Sequence, residues 1–330
     1  LHLSLRRQRQ MCIRDRFYIT ATALGRMGHP DGELNLTRAA AKTGLIQMIP
    51  TLSSVSFDEI IDARNQEGGP AQFFQLYVST DRNVVANMLR RAEETNVKAI
   101  FVTVDAPQLG RREQDMRMHF VDEGSNVQGG HVEKRDEGAA RAITSFIDPS
   151  FDWDDVLWMK RQTRLPILLK GVQTWEDAVQ AYEMGLAGVV LSNHGGRQLD
   201  FARSGVEVLE EVMRELRKRG SFPNPAFQVM VDGGFRRGTD ILKALAMGAT
   251  AVGIGRPFLY AYSAYGVDGV IHAINLLRDE LEMNMRLIGA RSIEELVPSM
   301  VDLSALHNHT GAVFPKQDQS VLDFMEKSRL

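Results

Sequence analysis

The chain holds a single cysteine, Cys12, in 330 residues, so an intrachain disulfide framework and a cysteine-based metal cluster are both excluded. No apolar run approaches the roughly 18 residues that a membrane-crossing helix needs. Charge of one sign is not in excess: 39 Lys and Arg stand against 42 Asp and Glu, for a net charge of −3. The basic residues are scattered rather than gathered in a stripe, which argues against a nucleic-acid surface. Missing too is a Gly-x-Gly-x-x-Gly turn after any strand-like run, which weakens a dinucleotide fold. What remains, at 44% hydrophobic content, is a globular chain long enough for one large α/β barrel or two smaller domains.

Apolar, β-rich runs of strand length fall at Phe17 to Thr20, Ile46 to Ile49, Phe73 to Val78, Ala99 to Val104, Pro166 to Leu169, Gly188 to Leu191, Phe227 to Val231 and Ala251 to Ile254. Each is continuous rather than alternating, as strands buried on both faces should be. Helical patterns lie between them. Ser56 to Glu59 forms a capping box, Asp81 to Thr95 carries an apolar stripe, Thr174 opens a helix that stops at Gly185, and Thr239 to Met247 closes at Gly248. Eight strand–helix alternations predict a (β/α)8 TIM barrel rather than a doubly wound sheet.

Three segments stand apart from that pattern. Residues 1–16 begin without methionine and carry five arginines against one aspartate. Such a stretch reads as the end of a targeting peptide or as foreign sequence joined to a truncated domain, and it is set outside the fold. The connection from Ala106 to Ser150 is polar and glycine-containing and far exceeds a plain βα loop; a lid-like insertion after strand four is expected, with its middle, about Glu123 to Gly138, open to a surface-loop reading. The barrel thus spans 17–306, and a polar tail follows over 307–330.

Barrels of this kind gather catalytic groups at the carboxyl ends of their strands. Those ends carry Gln75 and Tyr77 on strand three, Thr103 and Asp105 on strand four, Lys170 on strand five, and Ser192-Asn193-His194-Gly195-Gly196-Arg197 on strand six. Asp232-Gly233-Gly234-Phe235-Arg236 and Gly255-Arg256 end strands seven and eight. Backbone N–H groups exposed by glycines, with two arginines nearby, predict a phosphate site there. A lysine ending an apolar strand calls for an anionic partner, such as a reduced flavin ring. Asp105 beside His194 would orient the imidazole and support its cation after proton abstraction. The pair His307 and His309 has no acidic cluster beside it, so no metal site is expected, and Met283 and Met285 suit core packing.

Together these residues resemble the FMN-dependent α-hydroxy-acid dehydrogenase and oxidase family, which includes flavocytochrome b2, glycolate oxidase and lactate oxidase. The resemblance covers about residues 17 to 305. It rests on Ser192 to Asp200, Val231 to Asp240, Gly255-Arg256-Pro257 and Phe74 to Tyr77. It implies FMN as cofactor, with Ala21, Thr22, Ala23, Gln75, Thr103, Lys170 and Ser192 about the flavin ring. Asp232, Gly233, Gly234, Arg236, Gly255 and Arg256 would hold its ribitol and phosphate. His194 would be the base, Asp105 its partner, Arg197 the bidentate clamp on a substrate carboxylate, Tyr77 a hydrogen-bond partner of the substrate hydroxyl or the group that polarises the developing carbonyl, and Arg112 a second arginine near the carboxylate.

The implied reaction oxidises an (S)-2-hydroxy acid to the 2-oxo acid, and hydride transfer and a carbanion both remain open routes. Leu52 and the stretch Phe146 to Ser150 resemble flavocytochrome b2-type enzymes and favour L-lactate. Glycolate or a long-chain 2-hydroxy acid, oxidised by O2, is the alternative. The acceptor would be O2 or a haem domain and cytochrome c, and the resemblance implies a homo-oligomer, a tetramer. The final Ser328-Arg329-Leu330 is a conservative variant of a peroxisomal address; a mitochondrial intermembrane location is the other expectation. Two departures stand out. The family's N-terminal substrate-binding tyrosine has no counterpart, which predicts weakened substrate binding, and Pro50 replaces a flavin-contacting serine. A truncated, non-catalytic FMN-binding barrel remains a competing reading. An isomerase or nucleotide dehydrogenase would need a nucleophilic cysteine or another base, and no cysteine lies in the barrel.

Overall fold

A computed structural model describes residues 16–110, 117 and 146–306. Eight parallel strands run β1 (Phe17–Ile19), β2 (Met48–Ile49), β3 (Phe73–Leu76), β4 (Ala99–Thr103), β5 (Ile167–Val172), β6 (Gly188–Leu191), β7 (Gln228–Asp232) and β8 (Ala251–Ile254). Pairing follows chain order, with β1 against β8. The ring is closed between β1 and β2 by a parallel bridge from Ile19 to Gln47 and a 2.9 Å bond from the Ile19 N–H to the Ile46 carbonyl. The (β/α)8 barrel expected from the alternation is therefore present.

One helix follows each strand: α1 (Leu34–Thr43), α2 (Phe57–Gln66), α3 (Arg82–Glu94), α4 (Trp153–Gln162), α5 (Trp175–Glu183), α6 (Gly205–Lys218), α7 (Gly238–Met247) and α8 (Arg256–Leu287), the last broken at Tyr265 and Gly266. The starts are chemically marked. Ser56 and Glu59 close the capping box of α2, and the Thr174 hydroxyl accepts the Asp177 N–H to open α5. Each cap supplies about 1 kcal/mol. Helix α7 stops at Gly248, whose φ of 115° only glycine adopts freely.

Strand alternation builds two cores. Side chains of one parity, including Tyr18, Met48, Phe101, Leu168, Val190, Met230 and Ala251, fill the barrel interior. Those of the other parity, such as Ile19, Phe74, Val102, Leu169, Val189, Val231 and Ile254, pack against the helices. Full burial of each large side chain contributes ~1.5–3 kcal/mol. Two residues beyond the interior apolar layer, the same parity delivers Thr20, Gln75, Thr103, Lys170, Ser192 and Asp232, all buried. The floor of the barrel mouth is thus polar because the strands change composition there.

Several boundaries differ from the sequence reading. β2 is shorter than the Ile46 to Ile49 run, and β5 extends past Leu169 to Val172 through a register shift between Lys170 and Val172. Gly171 sits in that shift with φ 104°, and glycine inside a strand is the usual mark of a bulge. Of the long insertion, residues 106–110 and 146–150 are seen at the mouth. Arg112, Glu123 to Gly138, residues 1–15 with Cys12, and the tail 307–330 with Ser328-Arg329-Leu330 lie outside the described residues.

Candidate active site

His194 leaves β6 in a left-handed conformation, φ 58°, which L-residues rarely adopt. Its backbone N–H donates to the Ser192 hydroxyl at 3.0 Å. The imidazole is gripped at both nitrogens: Nδ1 lies 2.8 Å from Asp105 Oδ1, and Nε2 lies 3.3 Å from the Tyr77 hydroxyl. With the carboxylate accepting from Nδ1–H, Nε2 carries the ring's lone pair and faces the Tyr77 hydroxyl. Asp105 Oδ2 is buried with no hydrogen-bond partner. Room for that carboxylate comes from Gly171, where a Cβ would meet Asp105 Cγ at 2.4 Å.

Below this pair the polar floor is cross-linked. Gln75 donates to the Thr103 hydroxyl at 2.9 Å and accepts the Thr51 N–H at 3.1 Å, while the Thr51 hydroxyl donates to the Gln75 carbonyl at 2.6 Å. Thr51 carries no expectation from the sequence, since a lone threonine after a strand has no distinguishing pattern. Lys170 Nζ lies 3.3 Å from Asp232 Oδ2, which also accepts from the Thr20 hydroxyl at 3.1 Å, and 3.5 Å from the Ser192 hydroxyl. Burial would lower the Lys170 pKa, but the Asp232, Asp105 and Tyr77 charges outweigh it and hold the ammonium above its ordinary value. The anionic partner that a buried lysine demands is thus already supplied by Asp232, which faces the barrel interior.

The β7 and β8 exits are built differently. Gly233 and Gly234 have φ values of 88° and 86°, and nothing lies within 4 Å of where a Cβ of Gly234 would stand. Arg236 and Arg256 are exposed, and Arg256 donates to the Gly195 carbonyl at 2.9 Å, tying β8 to the His194 turn. Gly255 caps the long helix α8, whose first turn contains Pro257 and donates the Phe258 N–H to the Gly255 carbonyl at 3.0 Å. Near β1, the Thr22 hydroxyl is buried without a partner, between half-buried Ala21 and exposed Ala23.

Leu52, Tyr77, Ala106 and Ile147 form a separate apolar cluster beside the His194 ring, with Leu109 and Phe146 packed against it. Arg197 is exposed on the same turn as His194. Pro50 follows β2 and offers neither hydroxyl nor N–H. Among the described residues there is no grouping of His, Cys, Asp or Glu able to hold a metal ion, and no helix is long and apolar enough to cross a membrane.

An orphaned hydroxyl on Thr22, an orphaned carboxylate oxygen on Asp105, a charged lysine in the floor and an open glycine turn flanked by arginines fit a planar, phosphate-bearing cofactor. Residues 16–303 match the FMN-dependent dehydrogenase family. The chain belongs to that family. An L-lactate dehydrogenase (cytochrome) of Wickerhamomyces anomalus is 55% identical over 293 residues, 88% of this chain and 50% of the relative. Glycolate oxidase 2 of Oryza sativa subsp. indica is 44% identical over 84% of this chain and 75% of its own length. The recombinant flavin-binding domain of baker's yeast flavocytochrome b2 superposes with a TM-score of 0.79 at 47% identity, covering 93% of this chain and 73% of that one. The chain spans about half the length of the L-lactate dehydrogenases it matches. As in other FMN-dependent dehydrogenases, the cofactor here is FMN; Lys170, Gln75, Thr103 and Thr22 would hold its ring, and Gly233, Gly234, Arg236, Gly255 and Arg256 its phosphate end.

Proposed function

We propose that the chain oxidises an (S)-2-hydroxy acid, L-lactate foremost, to the corresponding 2-oxo acid. The observation that carries this reading is the His194 imidazole, fixed by Asp105 at Nδ1 and open toward Tyr77 at Nε2, above a floor that holds a charged lysine. Bound FMN supplies the two-electron acceptor. The protein's own part is to take one proton at His194 Nε2, with Asp105 supporting the imidazolium that results. Arg197 clamps the substrate carboxylate through paired N–H donors, and the Tyr77 hydroxyl meets the substrate hydroxyl. Whether the proton leaves oxygen or Cα is a choice the same base geometry serves in either case.

The small apolar cluster of Leu52, Ala106 and Ile147 beside Tyr77 favours a short aliphatic side chain such as the methyl of lactate. Glycolate with O2 as acceptor is the second reading, supported by the 44% identity to a glycolate oxidase; a haem-containing partner is favoured by the cytochrome-linked relatives. The test is anaerobic mixing of FMN-loaded protein with L-lactate, D-lactate or glycolate, following the flavin absorbance. Rapid bleaching by L-lactate alone is the expected result. His194→Gln keeps the yellow colour and slows bleaching by about 10²–10⁴-fold. Protein that binds FMN yet is bleached by none of the three acids overturns the reading.

A further inference from the structure

Gln198 follows Arg197 on the β6 exit, and all of its side-chain amide is spent on the backbone of the β4 exit. Nε2 donates to the carbonyls of Asp105 at 3.0 Å and Gln108 at 2.9 Å, while Oε1 accepts the Gly110 N–H at 3.0 Å. The two loops touch so closely that a Cβ on Gly110 would stand 2.5 Å from the Arg197 carbonyl oxygen and 2.8 Å from Gln198 Cα. Asp105 is therefore tied to the β6 turn twice. Its carboxylate holds the His194 ring, and its own carbonyl is held by the side chain four residues beyond His194. The result is a closed ring, Asp105 to His194, along the backbone to Gln198, and back to Asp105.

We propose that Gln198 is a positioning residue, which clips the β4 exit to the β6 exit and so sets the Asp105–His194 alignment on which proton removal from the 2-hydroxy acid depends. The inference rests on the reading of His194 as the base. An amide is the side chain that suits this clip: two donors for two carbonyls and one acceptor for one N–H, with no charge to desolvate. Displacements of about 1 Å in such a geometry cost up to about 100-fold in rate. A role confined to holding the fold would lower stability and leave the turnover of the folded enzyme unchanged.

The test uses the full FMN-loaded chain with Q198A and Q198E. Two readouts are taken: hydrogen exchange of the Gly110 amide, and kcat set against KM for the 2-hydroxy acid. Q198A is expected to lose Gly110 protection and about 10–100-fold in kcat, with KM within about 3-fold and the flavin spectrum retained. Q198E keeps an acceptor for Gly110 but turns an anionic oxygen toward the Asp105 and Gln108 carbonyls, so protection persists while kcat still falls. Gly110 protection unchanged in Q198A, or kcat unchanged in both variants, overturns the proposal. Should Q198A fail to fold, Q198E carries the kcat test alone. Full turnover in H194Q would instead sink the base assignment, and Gly110 exchange in Q198A would still report on the clip.

Discussion

On the β3–β6 side of the barrel mouth side chains hold one another; on the β7–β8 side the exits are glycine turns and their arginines are exposed. Asp105, His194, Tyr77, Gln75 and Thr103 form bonds of 2.8–3.3 Å among themselves, and all are largely buried. Across the mouth, Gly233 and Gly255 are half-buried, Gly234 is exposed, and Arg236 and Arg256 beside them are exposed. The difference suits the two tasks proposed for these sides. Moving a proton requires one atom in one place, whereas an anion is held by any set of N–H groups and cations at roughly the right distance. Lys170 with Asp232 lies at the seam, because it is buried like the first side and charged like the second.

Disturbing only the first side should stop turnover and leave the cofactor bound. Gly171→Val is the sharpest such change, since a Cβ there would meet Asp105 Cγ at 2.4 Å and the φ of 104° already disfavours an L-residue. The expected outcome is a loss of about 10²–10⁴ in kcat, the contribution of a positioned base, with flavin content by absorbance unchanged. Flavin lost along with turnover would mean that the two sides are not separable.

The two sides were also unequally legible. The strand ends and the glycine turns could be read directly from the chain: Gly233-Gly234 and Gly255-Arg256 sit at the ends of the seventh and eighth apolar runs. His194 and Asp105 could be paired in advance because both follow strands that face one mouth. What could not be read were contacts whose partners lie far apart in sequence and carry no pattern, such as Thr51 bracing Gln75, Gln198 reaching the β4 exit, and Gly171 vacating space for Asp105. Gly171 lay beyond the apolar run Pro166 to Leu169 and falls inside a strand only because β5 extends to Val172. The inward turn of the Asp232 carboxylate to Lys170 and Thr20 likewise came only with the fold.

A second pair of changes probes whether the sides communicate. Arg236→Met removes an exposed cation at the β7 exit, and should weaken FMN binding by about 10-fold with kcat at saturating FMN unaltered. Arg256→Met should weaken FMN binding by a similar factor and also lower kcat a few-fold, because Arg256 donates to the Gly195 carbonyl beside His194 at 2.9 Å. Fluorescence titration with FMN and steady-state rates separate the two variants. Identical behaviour would remove Arg256 as a link.

The smallest effect concerns how the β3 side keeps its apolar wall. Ile147 reaches Tyr77 because the chain returns there on an antiparallel bridge to Ser79 and a 2.8 Å bond from the Asp148 N–H to the Val78 carbonyl. Asp148 in turn accepts from the Ser150 hydroxyl at 2.7 Å and pairs with Arg82 at 2.7 Å. The Ser150 hydroxyl is the main cause holding the Asp148 carboxyl below its ordinary 3.8; burial opposes it, and the Ser150 N–H and Arg82 add to it. A carboxyl depressed in the folded state stabilises that state above its unfolded value and loses the contribution as pH falls through the folded one. Asp148→Asn should therefore cost about 1–2 kcal/mol at pH 7, measured by urea unfolding. The gap from the unsubstituted protein should hold down to about pH 5 and close progressively below 3.8. A gap that stays constant to the lowest pH at which the protein folds would assign the anchor to neutral hydrogen bonds instead, and the wall beside Tyr77 would then owe nothing to charge.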